Sequence, residues 1–140
     1  MGSGGNRILF VHVYDSTNAG VISVTYNGVA MTDAGASIAI PTTSQTLHTF
    51  YLVNPATGAH NVVITMVGST GIGALAESYS GALQASPIDI QGTFTVNPGS
   101  SISTTVTTTV ADDWAIAVTA FDANGPQTAG ASTTLRNQQA

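Results

Sequence analysis

The sequence predicts an all-β protein, an antiparallel β-sandwich of jelly-roll type. Three observations predict it. Apolar residues recur at period two along much of the chain, the period of a strand with one buried face. Turn signals fall roughly every 8–12 residues, the spacing of short sandwich strands. No segment of useful length carries the 3.6-residue period of a helix.

The elements follow in order. Ile8, Phe10, His12 and Tyr14 alternate with Leu9, Val11 and Val13. Both faces are largely apolar, so this strand is expected to be buried on both sides or to lie at a subunit contact. Ile22, Val24 and Tyr26 alternate with Val21, Ser23 and Thr25, and Asn27-Gly28 follows. That dipeptide tolerates positive φ at both central positions of a tight hairpin turn, so Val29 to Thr32 is expected as the return strand. Ser37 to Ile40 reads as a short strand stopped by Pro41, and Gln45 to Val53 as a longer one. Asn54 to Gly58 is turn chemistry. His60 to Val67 and Ala74 to Ser80 are the next strands, the second carrying small residues where another backbone passes close. Gly81 to Pro87 reads as a loop and Thr93 to Val96 as a brief strand. The cleanest alternation is Ile102, Thr104, Val106, Thr108 and Val110 against a wholly hydroxylic face. After the Asp112-Asp113 turn, Trp114, Ile116 and Val118 alternate with Ala115, Ala117 and Thr119; Asp122 to Gly125 is again a turn. Trp114 is expected in the core because it opens an apolar face.

A chain of 140 residues suits one domain with a core of its own. Residues 1–6 read as a flexible N-terminal arm, 7–136 as a single sandwich domain and 137–140 as a C-terminal tail. Charged residues make up only 6%, against about 25% in ordinary soluble domains. Polarity comes instead from 21 Thr and 13 Ser. Arg7 and Arg136 are the only basic residues and the net charge is −5. Nucleic-acid binding needs clustered Lys and Arg, so that class is excluded, and an anionic membrane surface would repel the chain. No apolar run approaches the ~20 residues of a spanning helix. The absence of cysteine excludes disulfides and thiolate metal sites.

Residues able to do chemistry are few. His12, His48 and His60 stand in no short ligand spacing. There is no G-x-S-x-G nucleophile elbow. A glycosidase needs two carboxylates across a cleft, but seven acids always allow some pair, so their number points to nothing: Asp15, Asp33, Asp112, Asp113 and Asp122 fall at expected turns, and Asp89 in a short Ile-Asp-Ile stretch. Glu77 differs, lying inside a strand, where a surface-facing orientation is expected. Asp112, Asp113, Asp122 and Asn124 flank one expected strand, and oxygen ligands of this kind can bind Ca²⁺; they are the candidate metal ligands. Sugars stack on exposed aromatic rings. Tyr26, beside Asn27-Gly28, and Tyr79 are the aromatics expected to be exposed. With Asn27, Asp112 and Asp113 they form the candidate ligand-binding set.

Several phrases occur together: Val24-Thr-Tyr-Asn-Gly-Val29 with Met31-Thr32, Tyr51-Leu-Val-Asn-Pro-Ala-Thr-Gly58 with His60-Asn-Val-Val-Ile-Thr65, Trp114-Ala-Ile-Ala-Val118, and Ala129-Gly-Ala-Ser-Thr-Thr-Leu-Arg136. Over residues 6 to 136 the chain resembles the Ser/Thr/Gly/Ala-rich β-sandwich modules of tailed-phage virion proteins and bacterial surface proteins. The resemblance implies a jelly-roll or lectin-like sandwich at a virion surface or outside a cell. The expected function is non-enzymatic: a capsid decoration (cement) or fibre-type assembly module, with a carbohydrate-binding or adhesion module as the alternative. The expected partners are further copies of the chain, virion or cell-surface proteins, and glycans. With so little charge, assembly must rest on shape, hydroxyl hydrogen bonds and apolar area, and the uncovered edge of a sheet is the natural place for it.

Overall fold

The computed structural model describes residues 1–35, 45–69, 71–92, 105–119 and 128, and the backbone of 38–40. Within them the chain is all-β, in two antiparallel sheets. The strands are β1 (Ile8–Asp15), β2 (Val21–Tyr26), β3 (Val29–Ala30), β4 (Thr32–Asp33), β5 (Ile38–Ile40), β6 (Gln45–Val53), β7 (Val62–Met66) and β8 (Ile72–Tyr79). The larger sheet runs β4-β6-β1-β8, with β5 also on β6; the smaller runs β3-β2-β7. The sandwich core lies between them: Leu9, Val11 and Val13 from β1 and Phe50 from β6 meet Val24 and Tyr26 from β2. Val11 and Val13 are fully buried, and burying a Val side chain is worth about 1.5–2 kcal/mol.

The expected central strand is where the alternation placed it. β1 pairs with β6 on one side and β8 on the other along its whole length. Its second face, Ile8, Phe10 and His12, is buried as well. The Asn27-Gly28 turn also forms, with φ of 51° and 74°, the double positive φ of a type I′ hairpin. The return strand differs from expectation. Val29–Ala30 pairs with β2, whereas Thr32–Asp33 pairs with β6 in the other sheet. Met31 crosses between them, buried in the core, its amide donating to the Val24 carbonyl. A strand that changes sheets makes a sandwich corner, and the apolar Met31 is what the corner buries.

Asp15 closes β1. Its carboxylate is fully buried and accepts from the amides of Thr17 at 3.1 Å and Gly20 at 2.9 Å, the turn role expected for Asp. The 54–58 turn is clamped by Arg7, which donates to Asn54 Oδ1, the Pro55 carbonyl and the Gly4 carbonyl. The N-terminal arm lies on the body. Met1 packs against the core and its ammonium donates to the Gly58 carbonyl at 2.8 Å.

One expected strand does not form, and the described part of another lies outside any ladder. Residues 105–110 of the Ile102–Val110 alternation and all of Trp114–Val118 are outside any ladder. Val106 and Val110 are exposed, and the Thr109 amide donates to Asp89 Oδ2. A carboxylate thus takes a backbone donor that a ladder would use. The expected Thr93–Val96 strand and the Asp122–Gly125 turn lie outside the described residues.

Candidate functional site

The site grows from the second face of β1, the one turned away from the sandwich core. Strand register places His12 opposite Thr49 of β6, and Phe10 opposite Glu77 of β8. Period-two alternation then puts Glu77 and Tyr79 on one face of β8. The outcome is a polar chain across three strands. His12 Nε2 lies 3.2 Å from Glu77 Oε1, and His12 Nδ1 lies 3.0 Å from Thr49 Oγ1. The Tyr79 hydroxyl donates to Glu77 Oε2 at 2.9 Å. Aromatic rings pack beside it: Phe10 stacks on His12 at 6.2 Å and meets Tyr79 edge-on at 6.3 Å.

Burial decides the charge of this chain. His12 is 3% exposed, and burial pulls its pKa below the usual 6.5, against the opposing pull of the Glu77 hydrogen bond and charge. His12 is therefore neutral at pH 7, and its contact with Glu77 is a hydrogen bond and not an ion pair. A carboxylate only accepts, so Nε2 carries the proton, Nδ1 accepts, and the Thr49 hydroxyl donates to it. Among the described residues no basic group other than His12 lies within ion-pair distance of the Glu77 carboxylate. Glu77 is also held more firmly than a surface-facing Glu, with side-chain exposure of 16%.

Tyr79 ends this chain at an open cleft. Glu77, Ser78, Tyr79, Ser80 and Trp114 line about 270 Å³ along β8. Trp114 meets Tyr79 edge-on, with ring centroids 5.3 Å apart and planes at 83°. Trp114 is 68% exposed, which overturns its expected place in the core. The alternation that placed it there belongs to a strand that does not form, so no sheet holds the indole inward.

The other expected site residues scatter. Tyr79 lines the cleft, half-buried rather than exposed. Tyr26 does not: it is 5% exposed, its hydroxyl donates to the Ala56 and Gly58 carbonyls, and its ring meets His60 edge-on. The core side of β2 claims it, because residues 24 and 26 share that face. Asn27 is exposed in its turn and remote in register from β8. Asp113 lies beside Asp89. Local desolvation and then that neighbouring carboxylate raise the Asp113 pKa, while the Thr109 side chain and amide lower that of Asp89. Asp112 sits in the adjoining turn at φ 63°. Asp122 and Asn124 lie outside the described residues. Among the described residues no three His, Asp or Glu side chains gather closely enough to hold a metal ion.

Sequence reasoning missed Glu77, His12 and Trp114 as site residues. Glu77 left a trace, being the one acid expected inside a strand. The His12 partnership needs the register of β1 on β8, a contact 65 residues apart that no local pattern reports. Comparison with known protein families, with curated proteins and with solved structures finds no match to this chain.

Proposed function

We propose that this chain is a non-enzymatic surface module, a jelly-roll-like sandwich of the kind expected on virions or cell exteriors, and that its working part is a saccharide-contacting cleft at Tyr79 and Trp114. The observation that carries this reading is Trp114, an indole 68% exposed yet fixed edge-on to Tyr79 at 5.3 Å. A large ring kept in water gains little for stability. It does offer a π face to the polarised C–H groups of a sugar. The Glu77 carboxylate and the serines supply the polar contacts that fix orientation in small-ligand sites. At about 270 Å³ the cleft falls just below the range of such sites, about 300–1,000 Å³, which limits it to a small saccharide. Glu77 is the one acid among its described lining residues, whereas glycoside hydrolysis ordinarily takes two. A glycan array probed with the wild type and with Trp114→Ala tests the reading. Binding to at least one glycan, lost in the variant while the melting temperature falls by no more than about 8 °C, supports it; an array without signal sinks it.

A second reading, assembly as a capsid decoration or fibre subunit, is favoured by β8. On its outer side this strand has no ladder partner among the described strands, and an open edge invites a strand from another chain. The expected state is a homo-oligomer. Light scattering at tens of micromolar, returning a monodisperse monomer, would remove it.

A further inference from the structure

We infer that the Tyr79–Trp114 cleft selects neutral, hydroxyl-rich saccharides and rejects acidic ones, with Glu77 as the residue that sets this preference. The inference rests on the cleft being a saccharide site and adds the ligand's charge class. It starts from hydrogen-bond inventory. A carboxylate has about four lone-pair positions. In Glu77, His12 Nε2 fills one on Oε1 and the Tyr79 hydroxyl fills one on Oε2. Each oxygen retains acceptor capacity on a group that lines the cleft. Two adjacent acceptors held at fixed orientation match two neighbouring hydroxyl donors on a pyranose. A carboxylate or sulfate on the ligand brings only acceptors, and brings a like charge.

Among the described residues nothing nearby offsets that charge. His12 is buried and neutral at pH 7. Thr49, behind it, is uncharged, as are the remaining described lining residues Ser78, Tyr79, Ser80 and Trp114. The chain has two basic residues in all. Arg7 is engaged by Gly4, Asn54 and Pro55 at the 54–58 turn, and Arg136 lies outside the described residues. The net charge of −5 adds a long-range field of the same sign. A ligand carboxylate a few ångströms from Glu77 should therefore bind about tenfold more weakly than its neutral counterpart at low salt.

The test is calorimetry with matched saccharides: neutral di- and trisaccharides of glucose, galactose, mannose and N-acetylglucosamine, each beside a uronate or sialylated analogue of equal length. The wild type should bind a neutral member and bind its acidic analogue about tenfold or more weakly. Raising salt from about 20 mM to about 500 mM should narrow that gap and leave neutral binding unchanged, since screening acts on the charge term alone. Glu77→Gln should narrow it as well. The salt series uses only the wild-type chain, so the result stands even if Glu77→Gln folds poorly. Equal or tighter binding of the acidic members overturns the inference and spares the saccharide site. A gap insensitive to salt also overturns it. Failure of every saccharide to bind overturns the site and the inference together.

Discussion

Replacing Trp114 by Ala separates the fold seen here from the one that alternation alone implies. If Trp114 opened a packed strand, its loss would cost about 3–5 kcal/mol. In the structure the side chain is 68% exposed, so about a third of it is buried. Full burial of a Trp covers about 150–250 Å²; a third of that, at about 25 cal/mol per Å², amounts to about 1–2 kcal/mol. The edge-on contact with Tyr79 adds up to about 1 kcal/mol, some of it the same area. The expected cost is therefore about 2 kcal/mol, a fall of about 6–8 °C in melting temperature for a chain of this size. Val13→Ala provides the internal scale. Val13 is fully buried in the core, and losing two carbons there costs about 2–3 kcal/mol with the cavity included. Urea unfolding of both variants should rank the small core truncation level with, or above, the large exposed one. Indole fluorescence of the wild type should be red-shifted and freely quenched by acrylamide. A Trp114→Ala cost above about 3 kcal/mol, with blue-shifted and protected fluorescence, would refute the exposed placement and the cleft built on it.

Three further outcomes follow from the geometry. Tyr26→Phe removes the hydroxyl that serves the Ala56 and Gly58 carbonyls; it should cost about 1–2 kcal/mol and leave ligand binding intact, as thermal unfolding and the glycan array would report. The pKa of His12 is lower in the folded chain than its ordinary value, so the unfolded chain takes up the proton first; this stability is complete above pH ~6.5 and lost as pH falls through the folded pKa. Urea midpoints measured from pH 7.5 down to 4.5 should decline, and His12→Gln should flatten the decline. EDTA should leave the melting temperature unchanged; a fall of more than a few degrees would point to Asp112, Asp113, Asp122 and Asn124 as Ca²⁺ ligands.

Much of the first half of the fold was legible because local rules and global packing agree there. β1 announces two buried faces by being apolar at odd and even positions, and both are buried. Asn27-Gly28 announces a hairpin whose φ values require those two residues. Gln45 to Val53 was readable to its ends, its far end being punctuated by Asn54-Pro55. The corner at Met31 was not legible. Val29 to Thr32 alternates as one strand would, and alternation carries no information about which sheet a strand joins. Beyond residue 104 the pattern misled. Val106 and Val110 alternate with threonines, yet a half-apolar face makes a strand only where an edge receives it, and there Asp89 receives the Thr109 amide instead.

The site was less legible than the fold for a related reason. Sequence points to residues by local oddity, and the odd residues here were turn acids, which bond their own backbone. Asp15 and Asp33 show that outcome, each accepting the amide two residues on. Tyr26 looked exposed from its place beside a turn, but face and not proximity to a turn decides burial, and residue 26 shares the face of Val24. Glu77 carries the opposite lesson. An acid within a strand is costly to bury unless donors meet it; the sequence left Glu77 free to face solvent, and the fold instead half-buries it among partners. They lie on two elements: His12 across the ladder and Tyr79 two residues along. The double burial of β1 joins core to cleft. One face of the strand holds the sandwich together, while the other fixes the imidazole that orients Glu77. A core substitution such as Val11→Ala should therefore weaken the sandwich without altering which saccharides are bound, whereas His12→Gln should alter selectivity at small cost to the core.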